Sequence, residues 1–255
     1  MSTVVMARMG ALGRAELTLL LRAKSALFMG LASPVLLTVG LWSAVKEMDL
    51  SRTGLSPGTV LLPGAMGFVL LFAVYANLVG VYVVRREELV LKRLRTGEAS
   101  DPEILAGSAL PAVAITVLQC GVLVVGGAAL LGLSMPSRPD LLIAGLLLGT
   151  VMTASMAAAS SVITRSAEAA QVTPLPVMLV SLMGSGMFIP LDVMPERLAT
   201  VCEFLPLSPV MALLRAGWVG GVGAGETLRF LALALVWTGL SLLAVRRWFR
   251  WEPRG

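Results

Sequence analysis

Residues 60 to 84, VLLPGAMGFVLLFAVYANLVGVYVV, contain no charged side chain, and RREELVLKRLR follows at once at 85 to 95. An α-helix rises about 1.5 Å per residue, so about 20 apolar residues cross the roughly 30 Å hydrocarbon core of a bilayer. The first stretch therefore predicts a membrane-spanning helix. The second stretch carries both signs of charge and predicts a segment in water at the end of that helix.

The composition extends this interpretation to the rest of the chain. Of its 255 residues, 57% are hydrophobic and 14% are charged, and the mean hydropathy is +0.88. A soluble domain has about a quarter charged residues. We therefore expect an all-α integral membrane protein with a single transmembrane domain over residues 1–255 and no separate soluble domain.

Apolar stretches long enough to span a bilayer recur along the chain. They predict six spans, at residues 25–45, 60–84, 104–133, 141–163, 172–189 and 228–245. Three further segments are predicted to lie outside the spans. Residues 1–24 have the periodicity of an amphipathic helix at the membrane interface. Residues 85–101 predict a short cytoplasmic helix over 85–95, and residues 190–225 predict short helices that dip into the outer leaflet and return.

The basic residues give the orientation and argue against nucleic-acid binding. Fourteen of the twenty Lys and Arg residues fall on the side that holds both predicted termini. The positive-inside rule places that side in the cytoplasm of a multi-pass cell-membrane protein. The net charge of +5 then reflects topology. The chain has no histidine, so it lacks the usual general base at neutral pH and a common zinc ligand.

Three motifs give the chain a family resemblance. They are Arg86-Glu87-Glu88 with Leu91, Leu94, Thr96 and Ile104-Leu105-Ala106-Gly107; Gly186-Met187-Phe188-Ile189-Pro190-Leu191 with Met194-Pro195; and Phe204-Leu205-Pro206-Leu207-Ser208-Pro209 with Leu214-Arg215. In their order and spacing, the chain resembles the permease subunits of type-two ABC exporters, which include the daunorubicin-resistance-like permeases. Two positions depart from that family. Leu89 stands where the family often has glycine, and Gly97 follows Thr96 where the family often has proline.

The resemblance implies that the helix between spans two and three sits in a groove on a separate cytoplasmic ATPase. It also implies a working unit of two ATPases and two permeases, the second permease being a copy of this chain or a different one. The chain has no G-x-x-x-x-G-K-[ST] run, so ATP and Mg²⁺ are expected on the partner and no cofactor on this chain. The predicted ATPase-coupling residues are Arg86, Glu87, Glu88, Leu91, Arg93, Leu94 and Arg95. The alternative is a solvated loop whose charges only set topology.

The resemblance and the polar residues within spans also give candidates for the transport path. Phe188, Pro190 and Pro195 are predicted to form an outer gate, although Phe188 could instead face lipid or pack in a helix interface. Polar residues within a membrane are costly and are therefore functional candidates. Methionine adapts to varied shapes. The predicted path residues are Tyr75, Asn77, Met178, Ser181 and Met183. The alternative for the methionines is that they face lipid or pack between helices in the ordinary way.

No strongly charged residue lies deep in a predicted span. This favours an apolar or amphipathic substrate, such as a drug, an antibiotic or a lipid-like molecule. ATP-driven export of that substrate is what the resemblance implies, and multidrug resistance is one expected role. A secondary transporter driven by an ion gradient remains an alternative, although such proteins usually carry ion-coordinating groups near the midplane. A membrane-embedded lipid-modifying enzyme is a weaker alternative, because the predicted spans contain neither histidine nor paired acids.

Overall fold

The structure, a computed structural model, describes residues 18, 36, 38–40, 57–96, 100–132, 135–187, 191, 194–249 and 251–252. In these ranges every regular element is a helix. The predicted interface helix at 1–24 and the predicted first span at 25–45 lie outside the described residues, except for a few isolated helical positions. Both therefore stay predictions.

The predicted second span is one apolar helix, Val60–Glu87, made of three parts. It begins as α1 (Pro57–Val69), widens into a π-helix (Leu70–Ala76) and continues as α2 (Asn77–Glu87). π-Helical turns are rare and often occur at functional sites. The π-helix holds Tyr75, which is one of the predicted path residues.

The remaining helices follow in chain order. They are α3 (Val90–Arg95), α4 (Asp101–Leu131), α5 (Pro139–Ile163), a 3₁₀ turn (Ala169–Gln171), α6 (Leu175–Gly184), α7 (Glu196–Glu203), α8 (Ser208–Val219) and α9 (Ala224–Trp248). At the start of α4, the backbone N–H of Ser100 donates to Glu103 Oε2 at 2.7 Å. This side-chain acceptor satisfies one of the backbone donors at the helix N-terminus.

Among the described residues, four helices are long and apolar enough to cross a membrane. They are Val60–Glu87, Asp101–Ala129, Pro139–Ile163 and Ala224–Trp248, and they correspond to predicted spans two, three, four and six. The predicted count of six is not confirmed, because this part of the chain supplies four spans, or five if α7 and α8 form one broken span.

The predicted fifth span needs a correction. Its apolar helical segment is Ala169–Gly184, which is shorter than a full span. The helix ends five residues before the predicted end at 189. Gly186 then adopts a φ of +68°, a left-handed conformation that turns the chain and that glycine adopts without steric cost.

Helices α7 and α8 lie in the region predicted to re-enter the membrane. Their axes meet at 97°, so they do not form a continuous span. At the bend between them, the Phe204 carbonyl accepts a hydrogen bond from Trp237 Nε1 at 3.1 Å. Trp237 lies near the middle of α9. The bend therefore reaches the middle of the last span, as a segment that dips into the membrane would.

Helix α5 is the centre of the bundle and packs against α2, α4, α8, α9 and the π-helix. Small residues permit these close approaches. A Cβ atom added to Gly149 would stand 2.7 Å from Leu70 Cδ1 and 2.8 Å from Val210 Cγ1. Small residues at helix contacts let membrane helices approach closely.

Candidate functional site at the charged end of the bundle

The charged segment after the second span is divided by a left-handed residue. Helix α2 carries the span through Glu87, and α3 begins at Val90. Between them Leu89 has φ 59° and ψ 14°. The prediction of a single helix over 85–95 is therefore wrong, because Leu89 adopts a left-handed backbone conformation that interrupts the helix. The break redirects the chain so that Leu91 becomes fully buried.

Replacing Leu89 by glycine is expected to stabilise the chain. A non-glycine residue in the left-handed region costs roughly 1–2 kcal/mol. Leu89 is 38% exposed, so its side chain contributes only part of its burial energy. We expect the free energy of unfolding to rise by about 1 kcal/mol, measured by equilibrium unfolding in mixed detergent micelles. Leu89→Ala is the control, since it removes the same side chain but keeps the Cβ atom. Equal stability of the two variants would show that the backbone conformation is not strained.

Arg86 lies in the core and not on the surface. Its side chain is 1% exposed. Nη1 donates to the carbonyl of Ser161 at 2.8 Å, and Nη2 donates to the carbonyl of Thr164 at 2.6 Å. These carbonyls belong to the C-terminal end of α5, where helical acceptors lack partners and a positive charge is favourable. Arg86 therefore joins the second span to the fourth.

The predicted coupling residues thus divide into two groups. Arg86 and Leu91 are buried, so neither presents a surface to a partner in this structure. Glu87, Glu88, Arg93 and Arg95 are exposed, and Leu94 is half-buried. The sequence gives Arg85 and Arg86 the same chemistry. Arg86 is the one that reaches the C-terminal end of α5, and it is therefore the one that is buried.

Two of the exposed residues already have partners within the chain. Glu87 Oε1 accepts the backbone N–H of Ala167 at 3.2 Å. Arg95 Nε donates to Asp101 Oδ1 at 3.0 Å. The described part of the chain offers no such partner to Glu88 or Arg93. Among the exposed predicted coupling residues, these two side chains of opposite charge therefore remain accessible for other contacts.

The segment after the last span returns to α3. Lys92 Nζ lies 2.8 Å from Glu252 Oε1, and the Arg95 guanidinium lies over the Trp251 ring at 4.9 Å. The hydrogen bond from Lys92, together with its positive charge, lowers the pKa of the Glu252 carboxyl, so this carboxylate is ionised at neutral pH. Helix α3 is thus connected to the second span by the chain, to the third span through Asp101, and to the last span through this segment.

A cavity of about 630 Å³ opens between the second span and the 3₁₀ turn and α6. Asn77 and Met178, both predicted path residues, line it from opposite sides, and Arg85 and Glu88 lie among its polar lining residues. The residues that the second span contributes to the wall of this cavity recur at helical spacing, so they lie along one face of the helix. They are Phe72, Ala76, Asn77, Gly80, Val81, Val84, Arg85 and Glu88. The regular spacing of Phe72, Ala76, Gly80 and Val84 was the available sequence signal for this wall, and the polarity of single residues does not reveal it.

The other predicted path residues do not line this cavity. Tyr75 is 1% exposed, and its hydroxyl lies 3.0 Å from Ser160 Oγ. It therefore joins the π-helix to α5. Ser181 is buried, whereas Met183 is 74% exposed on the outside of α6. Of the predicted gate, Phe188 and Pro190 lie outside the described residues, and Pro195 is exposed immediately before α7.

Comparison with known proteins gives one family match. No curated protein matches the chain. The model of the ABC-2 type transporter family matches residues 8–218. The match includes the second span, α3, the wall of the cavity and the bent pair α7 and α8. With its apolar spans and this match over most of its length, the chain is a multi-pass membrane protein and belongs to the ABC-2 type transporter family.

Proposed function

We propose that this chain is the transmembrane subunit of an ATP-driven exporter that moves an apolar or amphipathic substrate out of the cell. Membrane domains of this family normally work with an ABC ATPase. The proposed working unit contains two ATPase subunits and a second permease chain, identical or different. The termini of the chain are proposed to lie in the cytoplasm.

The observation that carries the proposal is the position of α3. The helix is short and exposes Arg93 and Arg95, with Glu88 just before it. It contacts the start of the third span through the Arg95–Asp101 ion pair and the segment after the last span through the Lys92–Glu252 ion pair. A partner that moves α3 therefore moves the ends of several spans together. Complementary charges fix the register of such an interface.

Arg86 extends the connection from α3 into the core of the helix bundle. It lies three residues before the left-handed turn that leads to α3, and it is bonded to the end of the fourth span. A displacement of α3 thus reaches α5, the helix that packs against most of the bundle. In the proposal Arg86 acts as a connector, and Glu88 and Arg93 act as the docking residues.

The cavity between the second span and α6 supports the proposed class of substrate. Its walls are mostly apolar, with Phe72 and Met178 among them, and polar or charged groups come from Asn77, Arg85, Glu88 and Gln171. Ligand sites typically combine an apolar lining with a few polar groups. An amphipathic molecule could place its polar part near the charged end and its apolar part between the helices.

Reversing the charges at the docking residues tests the proposal. The chain is co-expressed with its ABC ATPase, and the complex is purified in lipid. Glu88→Arg combined with Arg93→Glu is expected to weaken ATPase binding by about tenfold, as expected when complementary charges at an interface become repulsive. The measurements are the dissociation constant and the rate of ATP hydrolysis in the presence of the chain.

Arg197→Glu is the matched control, because Arg197 is an exposed helical arginine on α7, away from α3. This variant should bind the ATPase as the wild type does. If the folded wild-type chain binds no ATPase, the proposed function fails. If the wild type and the reversed variant bind equally well, α3 is not the docking element.

A further inference from the structure

A second cavity, of about 340 Å³, lies among α8, α9 and the turn after α6. Val60 at the start of the second span and Gly220 after α8 both line it. These residues lie at the opposite end of the bundle from α3. The lining residues from α9 are Arg229, Phe230 and Leu233, in its first three turns. The cavity therefore includes the end of the last span opposite α3, which is the level where a span meets the lipid headgroups, and extends inward along the first three turns of α9.

The cavity combines cationic groups with an apolar wall. Two arginines, Arg215 and Arg229, and one glutamate, Glu203, line it, which leaves one positive charge in excess among the described lining residues. Arg229 pairs with Glu203, and about half of each side chain is exposed. Phe230, Leu233 and Met211 belong to the apolar wall.

A buried hydroxyl points to a ligand independently of these charges. Ser185 lines the cavity and is 1% exposed, and its Oγ atom has no hydrogen-bond partner among the described residues. Burying a polar atom without a hydrogen-bond partner is unfavourable. An oxygen atom of a bound molecule would satisfy it. The Arg215 guanidinium lies beside the neighbouring turn, since a Cβ atom on Gly186 would stand 3.3 Å from its Nη1 atom.

We propose that this cavity binds the phosphate of an anionic phospholipid, with an acyl chain against Phe230 and Leu233. Guanidinium groups bind phosphate through paired hydrogen bonds. A guanidinium group has five N–H donors, so one that has contacts within the chain can also donate to a phosphate oxygen. The apolar wall favours a lipid over a free phosphate ion, because an ion would leave that wall without a partner.

The test uses the full chain without any ATPase, so its outcome does not depend on the proposed function. The chain is purified, depleted of lipid and titrated in detergent with phosphatidylglycerol, phosphatidylcholine or glycerol phosphate, and bound molecules are counted by native mass spectrometry. We expect phosphatidylglycerol to bind at least tenfold more tightly than the other two probes. Arg215→Gln and Arg229→Gln should each weaken its binding by about tenfold.

Arg138→Gln is the matched control. Arg138 is also an exposed arginine paired with a carboxylate, here Asp140, and it does not line the cavity. It should leave lipid binding unchanged. Ala212→Phe, which places a large side chain in the cavity without changing charge, should displace the lipid and keeps the test decisive if an arginine variant fails to fold.

Three results would overturn the proposal. Phosphatidylcholine, whose phosphate is balanced by a cationic choline, could bind as tightly as phosphatidylglycerol, which would show that the net negative charge of the lipid has no role. Glycerol phosphate could bind as tightly as the lipid, which would make this a small-anion site. Lipid binding could also survive unchanged in the folded Arg229→Gln and Ala212→Phe variants, which would place the lipid elsewhere.

Discussion

Replacing Arg86 by alanine is expected to lower the free energy of unfolding by about 3 kcal/mol. The substitution leaves the carbonyls of Ser161 and Thr164 without their donors, and each unsatisfied buried group costs about 1–3 kcal/mol. It also opens a cavity around a side chain that is 1% exposed. Removal of a buried charge offsets part of this loss, so the net effect is smaller than the sum.

Equilibrium unfolding in mixed detergent micelles measures the effect, with Arg93→Ala as the control. Arg93 is exposed on α3, so its removal should change stability by less than about 0.5 kcal/mol. Arg86→Met separates the two causes, because methionine restores much of the volume but donates no hydrogen bond. A loss close to that of Arg86→Ala would assign the effect to the hydrogen bonds. Equal stability of Arg86→Ala and Arg93→Ala would contradict the buried connection.

The two arginines should also differ in function. Arg93→Glu together with Glu88→Arg should weaken ATPase binding and leave the fold intact. Arg86→Ala should weaken the fold without removing any exposed contact, since Arg86 offers no exposed surface. This contrast distinguishes a docking residue from a residue that connects spans, although the sequence places both in the same charged run.

The spans that could be predicted are those that hydropathy alone defines. The fourth was predicted at 141–163 and is Pro139–Ile163. An uninterrupted apolar segment of this length crosses a bilayer as a helix, because its backbone polar groups must be satisfied within the segment. The fifth could not be predicted this way. Hydropathy continues past Gly184, but the positive φ of Gly186 turns the chain, and a hydropathy profile does not record backbone conformation.

The candidate site was predicted less well than the fold, for a related reason. A polar residue in a span can line a transport path or form a hydrogen bond to a neighbouring helix, and the sequence does not show which helix is adjacent. Tyr75 proved to face Ser160, whereas Asn77, two residues later, faces the cavity. A helical wheel places residues two positions apart on roughly opposite faces, but the sequence alone does not show which face meets α5 and which meets the cavity.

Gly217→Ala is expected to have the second large effect, about 3 kcal/mol of lost stability. A Cβ atom at this position would stand 2.6 Å from the backbone nitrogen of Leu142 and 2.8 Å from its Cα atom. A flexible side chain could move aside, but these are backbone atoms in the first turn of α5. Helices α8 and α5 must therefore separate to admit one methyl group.

The separation also breaks the hydrogen bonds that join the two helices. Arg138 N–H donates to the Gly217 carbonyl at 2.8 Å, and Ser137 N–H donates to the Trp218 carbonyl at 3.2 Å. Both bonds cross the contact that the methyl group would open. The expected loss therefore lies at the upper end of the range of about 1–3 kcal/mol for overpacking a core.

Gly239→Ala makes the same chemical change inside α9, where an added Cβ atom meets nothing within 4 Å. It should raise stability by up to about 1 kcal/mol, because alanine is the better helix former. The two glycine variants should thus shift the free energy of unfolding in opposite directions when measured under the same detergent conditions. Similar values for both would show that α8 does not pack this closely on α5. A loss confined to Gly217→Ala would show that the bent pair α7 and α8 is held to the fourth span by direct backbone contact, which requires glycine at this position.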